Sequence, residues 1–216
     1  MSWQTGNPVF GLAALTLFTA PACATQISLV GSLDPNDANS VFLYSFTLNA
    51  ASSLTIQSYG YGGSVNASGG TNAAGTVIPA GAFDTYISLF AGAGNGAAFL
   101  VSNDDGNCPP GNALPACHDS TLQVAALAGS YVLALSVFDN FSFAENFGAG
   151  TLGNGFIGLG DYFDAASGVI RSPNFAVDIS GAGLAPPSQT PEPASWAMAA
   201  AALLFVLVPK RRAPNN

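Results

Sequence analysis

Positive charge is almost missing from this 216-residue chain: Arg171, Lys210, Arg211 and Arg212 stand against twelve carboxylates, and only 7% of residues are charged. Ordinary soluble proteins carry roughly 25%. Between Thr25 and Thr190 a single arginine faces eleven acids. Nucleic acids and anionic lipid surfaces are held by Lys and Arg that displace counterions, so both partner classes are excluded for this stretch. Divalent cations and neutral polymers are the partners that its charge admits.

Histidine is equally scarce. The one histidine, His118, lies beside Asp119, but no Gly-x-Ser-x-Gly elbow accompanies it, so a serine-hydrolase triad is not supported. Long amphipathic helices are also missing, and 25 glycines and 14 prolines punctuate short apolar runs instead. That composition favours strands and turns.

Long apolar runs occur only at the two extremities. Val9 to Ala20 is followed by Ala22-Cys23-Ala24, the small-x-small pattern that signal peptidase accepts. Residues 1–24 therefore read as a signal peptide, a helix cleaved after Ala24. Cys23 as a lipidated cysteine is the weaker reading, because Ala20-Pro21-Ala22 lacks the usual Leu. At the other end, Ala194 to Val208 offers 15 apolar, helix-favouring residues, about 22 Å at 1.5 Å per residue. Trp196 suits one membrane interface, and Lys210-Arg211-Arg212 suits the other, where basic side chains snorkel. A transmembrane helix is expected over residues 194–216 with its basic tail, and a buried core helix is the competing reading. Residues 185–193 form a Pro-rich linker, leaving 25–184 as the folded domain.

Pro191-Glu192-Pro193, the apolar stretch and Lys210-Arg211-Arg212 together resemble the PEP-CTERM sorting tail. The resemblance covers about 26 residues. It implies recognition and cutting by a membrane-embedded exosortase in Gram-negative bacteria that make exopolysaccharide, hence delivery to the cell surface or extracellular matrix.

The middle of the chain has period two. In Val41 to Leu48, Phe42, Tyr44, Phe46 and Leu48 share one face, as in a half-buried strand. Similar runs at 53–59, 86–90, 98–102, 122–125, 130–138 and 175–179 predict an all-β domain, an antiparallel sandwich or jelly roll of about seven to nine strands. The glycine-rich stretches 60–81 and 148–160 read as surface loops. Phe83-Asp84, the turn Asn103-Asp104-Asp105-Gly106 and Gly129-Ser130-Tyr131 resemble the bacterial pre-peptidase C-terminal type of β-sandwich. That resemblance spans residues 31–138 and implies a non-catalytic binding or structural module.

Few constellations carry chemistry. Cys108 and Cys117 enclose eight residues, three of them proline, and an export compartment favours a disulfide between them worth about 2–3 kcal/mol. Zinc on Cys108, Cys117 and His118 lacks a fourth soft ligand. Asp84, Asp104 and Asp105 offer hard oxygens from neighbouring turns, the donor type calcium takes; plain turn formation competes. Asp34 to Asn39 is also oxygen-rich but lacks the Gly and Glu of an EF-hand, leaving Asx turns. Phe141, Phe143, Phe147, Phe156, Tyr162 and Phe163 either stack on sugar faces or fill the core. The sequence thus predicts an exported, non-enzymatic surface module of the envelope or exopolysaccharide, with calcium as the one candidate cofactor and plain turn formation as the leading reading of its acidic turns. A secreted glycan hydrolase using a carboxylate pair is the alternative.

Overall fold

A computed structural model describes residues 25–62, 68–106, 118–165 and 168–186. The signal residues Ala22 and Ala24, the cysteines Cys108 and Cys117, and the sorting residues Pro191, Glu192, Pro193, Lys210, Arg211 and Arg212 lie outside these, as do the residues of both expected terminal helices. Among the described residues no helix is long and apolar enough to cross a membrane.

Within them, period-two patterning produces the main strands: β1 (Thr25–Ser32), β2 (Phe42–Leu48), β3 (Ser52–Tyr59), β6 (Thr85–Ala91), β7 (Ala98–Asn103), β8 (Thr121–Ala126), β9 (Gly129–Val137) and β12 (Asn174–Gly181). They form two four-stranded antiparallel sheets, ordered β1-β12-β3-β8 and β2-β9-β6-β7. Four short strands add two ribbons, one of β4 (Ser68–Thr71) with β5 (Val77–Pro79) and one of β10 (Phe163–Asp164) with β11 (Val169–Ile170). The described chain is therefore all-β apart from short helical turns, the longest being α1 (Phe143–Asn146). The ladder pairs β1·β12, β2·β9, β3·β8 and β6·β7 nest one inside the next. The chain thus reads as one long hairpin whose paired arms alternate between sheets.

Alternation sets which side chains meet. Leu54 and Ile56 of β3 and Val177 and Ile179 of β12 point one way, because strand side chains repeat every second residue. They join Phe46, Leu48, Ile87, Leu89, Leu133 and Leu135 of the other sheet in one buried cluster. β6 and β9 are buried on both faces. Their outer face is covered by residues 141–156, where Ala144 and Leu152 pack on Phe90, Val132 and Ala134, with Phe156 at the margin. The stretch from Gly148 lies at the surface as expected but anchors on the sheet through Leu152, and Gly60–Gly81 includes the β4–β5 ribbon. Reading flexibility from glycine content missed both, because packing on a neighbouring sheet orders a segment of low intrinsic propensity.

The registers give the domain two poles. Thr25 pairs with Gly181, and Leu48 pairs with Gly129 and bridges Leu184, so the first and last described residues share one pole. At the other, Ser32 pairs with Asn174, and Thr85 with Val137. Three short connections, 49–51, 92–97 and 127–128, close the first pole. Four long ones, 33–41, 60–84, 104–120 and 138–173, build the second.

Candidate functional site

The long connections converge on a charged site. Asp84 ends one of them, directly before β6, and its carbonyl accepts from Phe138 N at 2.9 Å. Asp105 follows β7. His118 precedes β8, and its carbonyl accepts from Thr85 N at 3.3 Å. These backbone bonds set His118 Nδ1 3.2 Å from Asp84 Oδ2 and 3.2 Å from Asp105 Oδ1. The three ligand atoms lie within 4.8 Å of one another. The structure thus brings together two of the three acids expected to hold a cation. Asp104 does not join the trio, and its described bonds run through the backbone: its carbonyl accepts from Ser120 Oγ at 2.8 Å and its N–H donates to Asn103 Oδ1 at 3.1 Å.

The turn that carries these acids needs its glycine. A Cβ on Gly106 would sit 2.5 Å from Thr121 N, so only glycine lets β7 and β8 approach here. Asn103 ties the turn by donating to Thr121 O at 2.6 Å.

Behind the trio lies a buried polar network. Asp119 is fully buried; its Oδ1 accepts from Tyr61 N at 3.2 Å and from Ser58 Oγ at 3.5 Å. Ser58 Oγ is 2.7 Å from Thr85 Oγ1 and accepts from Ser120 N at 2.7 Å. Burial pushes the Asp119 carboxyl up to about 7, against the backbone N–H groups around Tyr61 that favour its ionised form. Asp119 therefore serves the 60–62 backbone, while Asp84 and Asp105 are the acids that face His118. This departs from any His118–Asp119 pairing suggested by their adjacency.

Asp84 is pushed further, to about 8, by burial first and then by the charges of Asp105, Asp104, Asp164 and Asp119. Asp84 Oδ1 is buried and has no hydrogen-bond partner among the described residues.

Arg171, the domain's lone cation, anchors the far wall. Its Nε and Nη2 donate to Asp164 Oδ2 at 2.9 and 2.6 Å, and its guanidinium lies 4.0 Å from the Tyr61 ring centre. Tyr61 donates its hydroxyl to Asp164 at 2.8 Å and meets His118 edge-on at 4.7 Å. Burial and that bond hold the Tyr61 phenol well above its usual range, so it stays a neutral donor. Between these walls opens a pocket of about 240 Å³, bordered by Phe138, Asp139, Asp161, Tyr162 and Phe163 as well as Asp84.

Tyr61 and Asp164 were not singled out by sequence reasoning, Arg171 entered only as a lone charge, and Asp119 only as the neighbour of His118. One signal existed: a lone arginine among eleven acids must find a partner when it is half-buried. The Asp34–Asn39 segment forms ordinary Asx turns, with Asp34 Oδ1 accepting from Asn36 N at 2.8 Å and Asp37 Oδ1 from Asn39 N at 3.0 Å. Of the aromatic residues, Tyr162 is buried, whereas Phe147 and Phe163 are exposed. In comparisons with known proteins, the chain matches no family model and no curated protein.

Proposed function

We propose that the chain is an exported, non-enzymatic surface module that presents its loop pole away from the membrane and associates with the envelope or the exopolysaccharide matrix. The observation that carries this reading is the two-pole layout. The chain enters at Thr25 and leaves at Pro186 from one pole, while Asp84, Asp105, His118 and Arg171 gather at the other. A C-terminal tether would then hold the pocket at arm's length from the bilayer. The nested pairing of the eight main strands supports a jelly-roll sandwich, a fold that leaves long end loops free for recognition. Calcium is the proposed cation, held by Asp84 and Asp105 oxygens. The imidazole of His118 is the softer donor, and carboxylates are the ligand class calcium prefers.

The test uses cells with an active exosortase. Intact-mass analysis should show a mature N-terminus at Thr25 and loss of the chain beyond Pro191-Glu192-Pro193, and the domain should be accessible to added protease. Uncut chain recovered from the cytosol would sink the proposal. Calorimetric titration should detect calcium uptake that Asp105→Asn abolishes.

A second reading has one specific observation in its favour. Asp84 keeps its proton near neutral pH, which is what the general acid of a glycan hydrolase requires. Turnover of any glycan that disappears in Asp84→Asn would replace the binding module with that enzyme.

A further inference from the structure

We infer that the loop-pole pocket and the β10–β11 ribbon beside it bind a neutral sugar residue of a polysaccharide, one ring entering the pocket while neighbouring units lie along the ribbon. This rests on the surface-module reading and names the ligand of that module. Size is the first argument. The cavity is about 240 Å³, under the roughly 300–1,000 Å³ of sites for drug-sized ligands. It accommodates one small ring and leaves the rest of an extended ligand outside.

The ribbon supplies a surface for that remainder. Of the ten large apolar side chains exposed among the described residues, three lie on this ribbon: Phe163 and Ile170, a cross-strand pair, share one face, and Val169, paired with Asp164, lies on the other. Phe163 also borders the pocket and pairs across the ribbon with Ile170. Such a concentration on a short two-stranded ribbon is not needed for the core, which closes beneath it through Tyr162 and Phe83. Aromatic and aliphatic faces of this kind suit the C–H faces of sugar rings, as large amphipathic surfaces suit a ligand with one apolar and one polar side.

The described ends of the ribbon are tied to the domain. Arg171 N donates to Tyr162 O at 2.8 Å and Gly168 N to Asp164 O at 2.7 Å, while the Arg171–Asp164 pair fixes the ribbon to Tyr61. A platform that is already ordered loses little entropy on binding.

Polarity selects the ligand class. Asp139 and Asp161 are exposed at the rim, and ionised carboxylates only accept hydrogen bonds. The rim therefore wants a ligand rich in hydroxyl donors. With calcium removed by chelator, acidic sugars bring further negative charge to a rim whose lone arginine is committed to Asp164, so they are rejected. Asp139 is the single described non-glycine residue with a left-handed backbone, φ 66°, a conformation that Asn also tolerates.

The experiment presents the full chain, in detergent micelles with chelator present, to immobilised neutral hexans (a glucan, a mannan and a galactan) and to a polyuronate. At least one neutral hexan should retain the protein, with release by millimolar free hexose and no retention on the polyuronate. Phe163→Ala should weaken retention at least tenfold. Asp139→Asn, which keeps the backbone, should weaken it about threefold, while Val77→Ala on the other ribbon leaves it unchanged. Thermal melting confirms that each variant is folded. Failure to bind any neutral hexan, equal binding to the polyuronate, or binding indifferent to Phe163→Ala overturns the inference. Surface delivery is scored separately by protease accessibility: a delivered protein that binds no glycan sinks only this inference, and a glycan binder that is never exported sinks only the surface-module reading.

Discussion

The two poles of the domain are ends of the same ladders, yet they are built by opposite means. At the pole where the described chain begins and ends, the connections 49–51, 92–97 and 127–128 contain no charged residue, and closure is by backbone: Asn49 N donates to Gly183 O at 2.8 Å and Ala185 N to Thr47 O at 2.9 Å. A side chain on Gly183 would run into the Ala50 carbonyl. At the loop pole the connections hold ten of the domain's eleven carboxylates, and Asp178 of β12 is the exception. There, backbone bonds such as Phe138 N to Asp84 O and Ser172 N to Gly81 O are supplemented by charged side chains that bond one another. A pole sealed by backbone needs little sequence and permits little chemistry. A pole sealed by titratable side chains depends on pH and offers groups to a ligand.

The largest expected effect comes from the slab between the poles. Leu133 of β9 is fully buried in the shared cluster, so Leu133→Ala should cost about 2–5 kcal/mol. Chemical denaturation should show both poles lost in one transition. Two separate transitions would mean that the poles are independently stable, and the contrast drawn above would be between two units instead of two ends of one.

Next comes Arg171→Met, which confines the damage to the loop pole. Arg171 and Asp164 are 14% and 10% exposed. Removing the cation strands the Asp164 charge, and the cost should be about 2–3 kcal/mol, below the ~3–5 kcal/mol of a fully buried pair. Hydrogen exchange should rise in residues 159–171 and stay unchanged around Leu184. A loss spread equally over both poles would contradict the contrast.

The poles should also differ in their response to pH. Folded Asp84 and Asp119, at about 8 and about 7, bind protons more tightly than the unfolded carboxylates near 4. The folded state therefore binds more protons across this window, and stability falls as pH rises. Their contribution is complete below about pH 4 and is lost as pH passes 7 and then 8, with a slope up to about 1.4 kcal/mol per pH unit for each group. Denaturation midpoints measured from pH 4.5 to 8.5 should decline, and Asp119→Asn should flatten the curve between pH 5 and 7. A rising midpoint over that range would reverse the sign assigned to both acids.

Most of the ladder was legible in the sequence because burial on one face leaves a period-two signal. The runs 42–48, 53–59, 86–90, 98–102, 122–125, 130–138 and 175–179 fall on main strands. The lid over β6 and β9 was not legible, since Ala144, Leu152 and Phe156 have no period and gain their order only from the sheet beneath. At the site, Asp84 and Asp105 were legible as oxygen donors in turns, but Asp104 was grouped with them by adjacency alone. In the bend after β7 the Asp104 backbone bonds Asn103 and Ser120, so Asp104 stays out of the trio while His118, thirteen positions from Asp105, closes it. Long-range pairing between connections is what one sequence conceals. The polarity of the domain follows from the register of β1 with β12, which no local pattern encodes.

The smallest effect tests whether folding demands an uncharged pole at the described chain ends. Leu127 is 76% exposed in the 127–128 connection, and its backbone carbonyl, which accepts from Tyr131 Oη at 2.6 Å, stays in place whatever the side chain. Leu127→Asp therefore removes little buried surface and places its charge in water. Surface changes of this kind stay within about 0.5 kcal/mol, and a thermal melt should move by no more than that implies. With stability unchanged, the lack of charge at this pole is not a folding requirement, and the poles then differ in chemistry as well as in architecture. A cost above about 1 kcal/mol would instead assign the neutrality to packing, and the poles would then differ in architecture alone.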